Sequence, residues 1–517
     1  MTPRPAAARS RRAIALPASM VLTAALAFLP SAATAAPQGG TGSTTPSSSA
    51  AAATDGEQLS YVVNLRQGKG VSSVREAIAK AGGTIVEAYG QIGVVVVHSA
   101  NAGFAQEIRK ASGVASAGAT RTAPLPAQST TDLGAPKVLT AEQAEAAAQR
   151  AEAGEDPLQP LQWDLPAIKA DKAHEKTLGS RNVTVAVIDT GVDDTHPDLA
   201  PNFDRAASVN CVTGKPNTAD GAWRPSAAES PHGTHVAGEI AAAKNGVGVT
   251  GVAPGVKVSG IKVSTEAGFF YTEAVVCGFI WAAEHGVDVT NNSYYTDPWY
   301  FNCADDPDQK ALVEAITRAT RYAERKGVVN VAAAGNENYD LASNSITDPS
   351  SPNDTTPAER KVDPRECFDI PTQLPGVVTV AATGAKGLKS SFSNHGLGVI
   401  DIAAPGGDST AYQPPQAPAT SGLILGPLPG GGYGYMAGTS MASPHVAGVA
   451  ALIKSKHPKA GAAVVQALLK LQADRKACED PYDIDSDGTA DAVCEGGRVY
   501  NGFYGAGIAD ALDAVTQ

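Results

Sequence analysis

The 517-residue sequence predicts an α/β protein, a doubly wound and mostly parallel sheet preceded by a small α+β unit. Short apolar runs at 183–188 and 328–331 read as strands buried on both faces. They alternate with helical segments at 273–284, 308–326 and 443–455, the order expected of a parallel sheet with helices on both sides. Before residue 120 the order changes to strand, helix, strand, strand, helix, strand, which marks a separate unit.

Taken in order, residues 1–35 read as a signal peptide: Arg4, Arg9, Arg11 and Arg12 precede an apolar stretch at 13–29, and Ala33-Thr34-Ala35 offers a small-x-small cleavage site. No later run is long and apolar enough to span a membrane, so a secreted, extracellular product is expected. Residues 36–59 are rich in Gly, Ser, Thr and Ala and read as a flexible linker. Within 60–118, strands are expected at 61–65, 83–89, 92–98 and 114–117 and helices at 71–81 and 102–111, a ferredoxin-like arrangement. Residues 119–157 form a second connector, with Pro124, Pro126 and Pro136 and a helical stretch at 140–153; exposed links of this kind are where processing concentrates. The large α/β domain then occupies 158–517.

A net charge of -12 excludes a nucleic-acid partner, because phosphate binding needs clustered Lys and Arg. Six cysteines behind a signal peptide favour disulfides. Several connectivities are open. Proximity favours Cys478–Cys494, Cys303–Cys367 would link two long loops, and Cys211–Cys277 remains.

Three strings carry the chemistry. Asp189 closes the strand at 183–188, His232 lies in Pro231-His232-Gly233-Thr234-His235, and Ser440 lies in Gly438-Thr439-Ser440-Met441-Ala442-Ser443-Pro444-His445. A serine hydroxyl becomes a useful nucleophile when a base takes its proton and a third group orients that base. A fourth string, Ala333-Ala334-Gly335-Asn336, sets a carboxamide beside a flexible glycine, able to donate to a developing oxyanion with the N–H of Ser440. Each string alone has a plainer reading: a strand end, a helix cap or a turn.

Together they resemble the subtilisin-type serine peptidases, the subtilases, whose triad runs in the chain order Asp, His, Ser. The resemblance covers roughly the last two-thirds of the chain and implies the subtilisin-like fold. It implies a secreted serine endopeptidase that hydrolyses peptide bonds through an acyl-enzyme, with Asp189, His232 and Ser440 as triad and Asn336 at the oxyanion. It also implies that 60–118 is an inhibitory propeptide, so the expected partners are protein or peptide substrates and the chain's own propeptide. No nucleic acid, no membrane and a monomer are expected. The alternatives are a specific activator of one partner protein, an esterase, or a catalytically silent binding module on the same fold.

For the substrate groove, the resemblance implies a pairing strand ending at Ser293, with Tyr294 and Tyr295 where smaller residues are usual. Ala333, Ala334 and Gly335 form the opposite wall, small and neutral. No catalytic cofactor is expected. Structural calcium is implied at Gln159, Asp198, Asn245, Val247 and Val249. A second, weaker calcium candidate is the acidic loop with Asp483, Asp485 and Asp487, which resembles the start of an EF-hand loop but has Cys494 where the last ligand should be.

Overall fold

The computed structural model describes residues 57–124 and 134–517. The expected signal peptide, most of the 36–59 linker and Pro126 lie outside the described residues. The N-terminal unit consists of β1 (Leu59–Leu65), α1 (Arg75–Lys80), β2 (Gly83–Tyr89), β3 (Val94–Ser99), α2 (Phe104–Ile108) and β4 (Val114–Ala119). Its sheet order, β2-β3-β1-β4, is antiparallel throughout. Burial on both faces explains why β1 and β3 are largely apolar. Tyr61, Val63, Val95 and Val97 pack under the unit's own helices, whereas Val62, Val94 and Val96 face the large domain.

The connector is partly built into the fold. Its described portion holds β5 (Lys137–Val138) and α3 (Ala141–Ala148). Thr140 caps α3 in a capping box, its hydroxyl accepting from Gln143 N at 3.2 Å while Gln143 Oε1 accepts from Thr140 N at 3.0 Å.

The large domain contains β6 (Thr184–Asp189), β7 (Val209–Asn210), α4 (His232–Ala241), β8 (Lys257–Lys262), α5 (Thr272–Glu284), β9 (Val289–Asn292), α6 (Pro307–Arg325), β10 (Val329–Ala333), β11 (Val377–Thr383), β12 (Ile402–Pro405), β13 (Ile424–Leu428), β14 (Gly432–Met436) and α7 (Thr439–Lys456). Seven strands form one parallel sheet in the order β12-β11-β10-β9-β6-β8-β7. Chain order reverses across β6, so the carboxyl ends of β6 and β9 flank the crevice where open α/β sheets place their sites.

Helices α4 and α7 cover one face of the sheet. Helices α5 and α6 cover the other, and α6 presents Ala311, Leu312, Ala315, Ile316 and Ala319 as a buried stripe. The N-terminal sheet docks on this second layer. Asn64 Nδ2 donates to Ala311 O at 2.9 Å, and Arg109 pairs with Asp308. Arg318 donates to Gly93 O at 2.9 Å and to Leu65 O at 2.8 Å. The cysteines are joined as Cys211–Cys277, Cys303–Cys367 and Cys478–Cys494, the three expected pairs.

One boundary differs in an informative way. The sequence places the start of α7 at Ser443. The helix begins at Thr439 and carries Pro444 inside it. Pro444 has no N–H for Ser440 O. The hydroxyl of Ser293 donates to that carbonyl instead, at 2.9 Å. The early start puts Ser440 in the first turn, beside free backbone N–H groups.

Candidate active site

Asp189 and His232 meet because β6 ends beside the start of α4, and both are fully buried. Nδ1 of His232 lies 2.9 Å from Asp189 Oδ1 and 3.1 Å from Oδ2. A carboxylate can only accept, so Nδ1 carries the proton and Nε2 is left as the base. The approach requires Gly233: a Cβ there would lie 2.4 Å from Gly191 O and 3.1 Å from Asp189 Cβ. His232 Nε2 is buried and has no hydrogen-bond partner among the described residues.

Ser440 Oγ donates to Ser293 O at 3.2 Å. Passing its proton to His232 therefore requires the hydroxyl to turn from Ser293 toward Nε2. A further chain ties β9 to α7: Ser443 Oγ donates to Asn291 Oδ1 at 2.6 Å, and Asn291 Nδ2 donates to Ser293 Oγ at 2.9 Å.

Asn336 is oriented by Thr439, a residue the sequence reading missed. The Thr439 N–H donates to Asn336 Oδ1 at 2.8 Å and the Thr439 hydroxyl donates to the same oxygen at 3.0 Å. Two donors fix which end of the carboxamide is oxygen, so Nδ2 is the end left to donate. Thr439 Oγ1 also accepts from Gly335 N at 3.0 Å. Gly335 has φ +97°, and a Cβ there would come within 2.2 Å of Tyr300 Oη, so the turn before Asn336 demands glycine.

A cavity of about 520 Å³ opens at Ser440 and Asn336. Ser293, Tyr294, Tyr295, Ala333 and Gly335 line it, as does Gly134 of the connector. Ala334 does not: alternation along the chain turns it to the far side, among Ile400, Ala403 and Tyr504. The ring of Tyr294 stacks on Phe270 at 4.6 Å and its hydroxyl donates to Asn292 Oδ1 at 3.0 Å, so it is largely a packing residue. Tyr295 leans on Tyr300, with ring centroids 4.7 Å apart. The sequence reading missed Tyr300, Glu337, Tyr339 and Asp369, which also line the cavity, and the last two come from loops without a motif.

The first cation candidate comes together around Asp198. Its Oδ2 accepts from Val249 N at 3.0 Å, whereas Oδ1 is buried without a partner. Burial, reinforced by the nearby Asp156 charge, pushes the Asp198 carboxyl up to about 7. Asp156, unrecognised from sequence, is 1% exposed and accepts from Gly246 N and from the Thr250 hydroxyl, each at 2.6 Å. Gln159 Oε1 lies 3.4 Å from the same hydroxyl. Asn245 holds the loop, donating to Pro197 O at 3.1 Å and accepting from Val247 N at 3.1 Å. Two buried acids, one with an orphaned oxygen, fit a hard cation.

In the acidic loop, the carboxylates that converge are Asp483, Asp485 and Asp491. Asp487, expected in that set, instead accepts from Thr489 N at 2.6 Å, which turns it back into its own loop.

The subtilase family profile matches residues 180–507. M-protease of Shouchella clausii is 34% identical over 300 residues, which cover 58% of this chain and 61% of that protein. Subtilisin Savinase of Lederbergia lenta is also 34% identical over 300 residues, covering 58% of this chain and 86% of that protein. The match thus spans about three-fifths of the length of M-protease. Among solved structures, the epidermin leader peptide processing serine protease of Staphylococcus aureus superposes with a TM-score of 0.63 at 24% identity, covering 89% of this chain and 98% of that one. Fervidolysin from Fervidobacterium pennivorans gives 0.58 at 24% identity, covering 89% and 61%. At that identity these two likenesses speak for the fold alone. With the profile match and the Savinase alignment, the chain belongs to the subtilase family of serine peptidases.

Proposed function

We propose that the protein is a secreted serine endopeptidase made as a self-inhibited precursor. The observation that carries this reading is the Asp189–His232 pair beside a serine in the first turn of α7, with Asn336 aligned by Thr439. Ser440 Oγ attacks the substrate carbonyl while His232 Nε2 takes the hydroxyl proton. Asn336 Nδ2 and the Ser440 N–H hold the oxyanion that forms. His232 then returns the proton to the leaving amine, giving an acyl-enzyme that water hydrolyses by the same steps. Asp189 keeps the imidazole in the required tautomer. The chain's own groups account for each proton without a cofactor. A peptide library incubated with the secreted protein should be cleaved, and Ser440→Ala should abolish cleavage. Cleavage that survives the substitution overturns the reading.

The unit at 60–118 acts as the propeptide. Support comes from its docking on α5 and α6 and from the connector, whose Gly134 lies at the cavity beside Ser440. The Ser440→Ala precursor should retain this unit and the wild type should lose it. Calcium held by Asp198, Asp156 and Gln159 would supply the positive charge that these two buried acids lack and fix the loop at 244–250.

A further inference from the structure

The cavity lining differs from the expected small, neutral pocket. Two carboxyl groups line the cavity: Glu337, directly after Asn336, and Asp369, two residues after Cys367. Asp369 is 2% exposed, and its Oδ1 is buried with no hydrogen-bond partner among the described residues. Glu337 Oε2 accepts from the Tyr300 hydroxyl and, at 2.9 Å, from Asn336 N. Tyr300 is held in turn by Asn394 Nδ2 at 3.0 Å. Among the described residues no Lys, Arg or His lines the cavity, and Arg360 is committed to Asp348.

Asp369 is buried and Glu337 is exposed, and with no cation among the described lining residues the pair is electrostatically incomplete. Burial, with the Glu337 charge added, drives the Asp369 carboxyl well above the usual range. A cation entering the cavity reverses this shift, because each carboxylate gains the opposite charge it lacks. The walls suit a cation on a long apolar stem: Tyr295, Tyr300 and Tyr339 offer ring faces to methylenes and to a guanidinium. Ser440, Asn336 and Gly335 line the same cavity, so a side chain that enters it beside them belongs to the residue whose carbonyl is attacked. The chain does not supply this cation itself along 122–136, which contains no Lys or Arg.

We propose that Asp369 and Glu337 are specificity-determining residues that select substrates with Lys or Arg on the acyl side of the scissile bond. The proposal rests on the peptidase reading above and names its substrate class. Asp369, buried and unpartnered, meets the charged end directly. Glu337, braced by Tyr300, forms the second half of the fork, an arrangement matched to a guanidinium.

The test uses mature wild-type enzyme and peptides identical except for Arg, Lys, Leu, Phe or Gln at that position, with kcat/KM measured for each. The expected result is a preference of at least about tenfold for Arg and Lys over the neutral residues, a modest demand on a buried charged contact. In Asp369→Asn the ratio of Arg to Leu should fall by about tenfold or more, and in Glu337→Gln by less. Equal or better cleavage after Leu or Phe by the wild type overturns the proposal while leaving the peptidase reading intact. An Arg preference unchanged in a folded Asp369→Asn variant overturns the role of Asp369. No cleavage of any peptide, with no fluorophosphonate labelling, removes the peptidase reading and this proposal with it. The wild-type profile decides the question even if neither variant folds.

Discussion

The two halves of the cleft are assembled from different parts of the fold. Asp189, His232 and Ser440 sit where a strand of the central sheet ends or where its helices begin, and Asn336 lies in the exposed turn after β10, held there by Thr439. Tyr295, Tyr300, Glu337, Tyr339 and Asp369 lie in the loops between β9 and β11, a region stapled by Cys303–Cys367. A rigid sheet fixes the reacting groups to within the tolerance that proton transfer demands. Loops carry selectivity because they can change sequence without disturbing that geometry. In this molecule the reaction and the choice of substrate are therefore separable properties, and variants in the two halves should fail in different kinetic terms.

The largest effect that separates them is expected at Asn336. Asn336→Ala should lower kcat by about 10²–10³ with little change in KM, the range known for the equivalent donor in subtilisin itself. Steady-state kinetics on one good peptide checks this, and a loss confined to KM would place Asn336 with the binding half.

Smaller effects belong to residues in neither half. Arg318→Ala removes a guanidinium from carbonyls at Leu65, Ile92 and Gly93 and should weaken inhibition of the mature enzyme by its N-terminal unit by about tenfold. Titrating residual activity against added unit reads this directly, and kcat should not move. Removing calcium with EGTA should lower the wild-type melting temperature by several degrees. In Asp198→Asn, melting should no longer respond to calcium. Retention of the full calcium response in that variant would assign the ion to another site.

How much was legible follows the same division. The strings around Asp189, His232, Asn336 and Ser440 are local signals, because each residue's neighbours in sequence build the turn that positions it. The alternating order of strands and helices was readable for the same reason, as was the ferredoxin-like pattern of the N-terminal unit. Long-range contacts were not. The start of α7 depends on the hydroxyl of Ser293, far away in sequence, replacing the N–H that Pro444 lacks. The orientation of Glu337 depends on Tyr300 and Asn394. Asp156 looked like part of a linker because nothing local shows that it closes against the loop at 244–250. Ala334 differs for a simpler reason: alternation continues past the end of β10 and turns its side chain away from the cavity.

The account turns on Ser440 as the single nucleophile, and labelling of the mature enzyme by a fluorophosphonate probe, followed by peptide mapping, tests that most directly. One modified residue, Ser440, is predicted, with labelling abolished in Ser440→Ala and strongly slowed in His232→Ala. A label that persists in Ser440→Ala, or that maps to another serine, would contradict it.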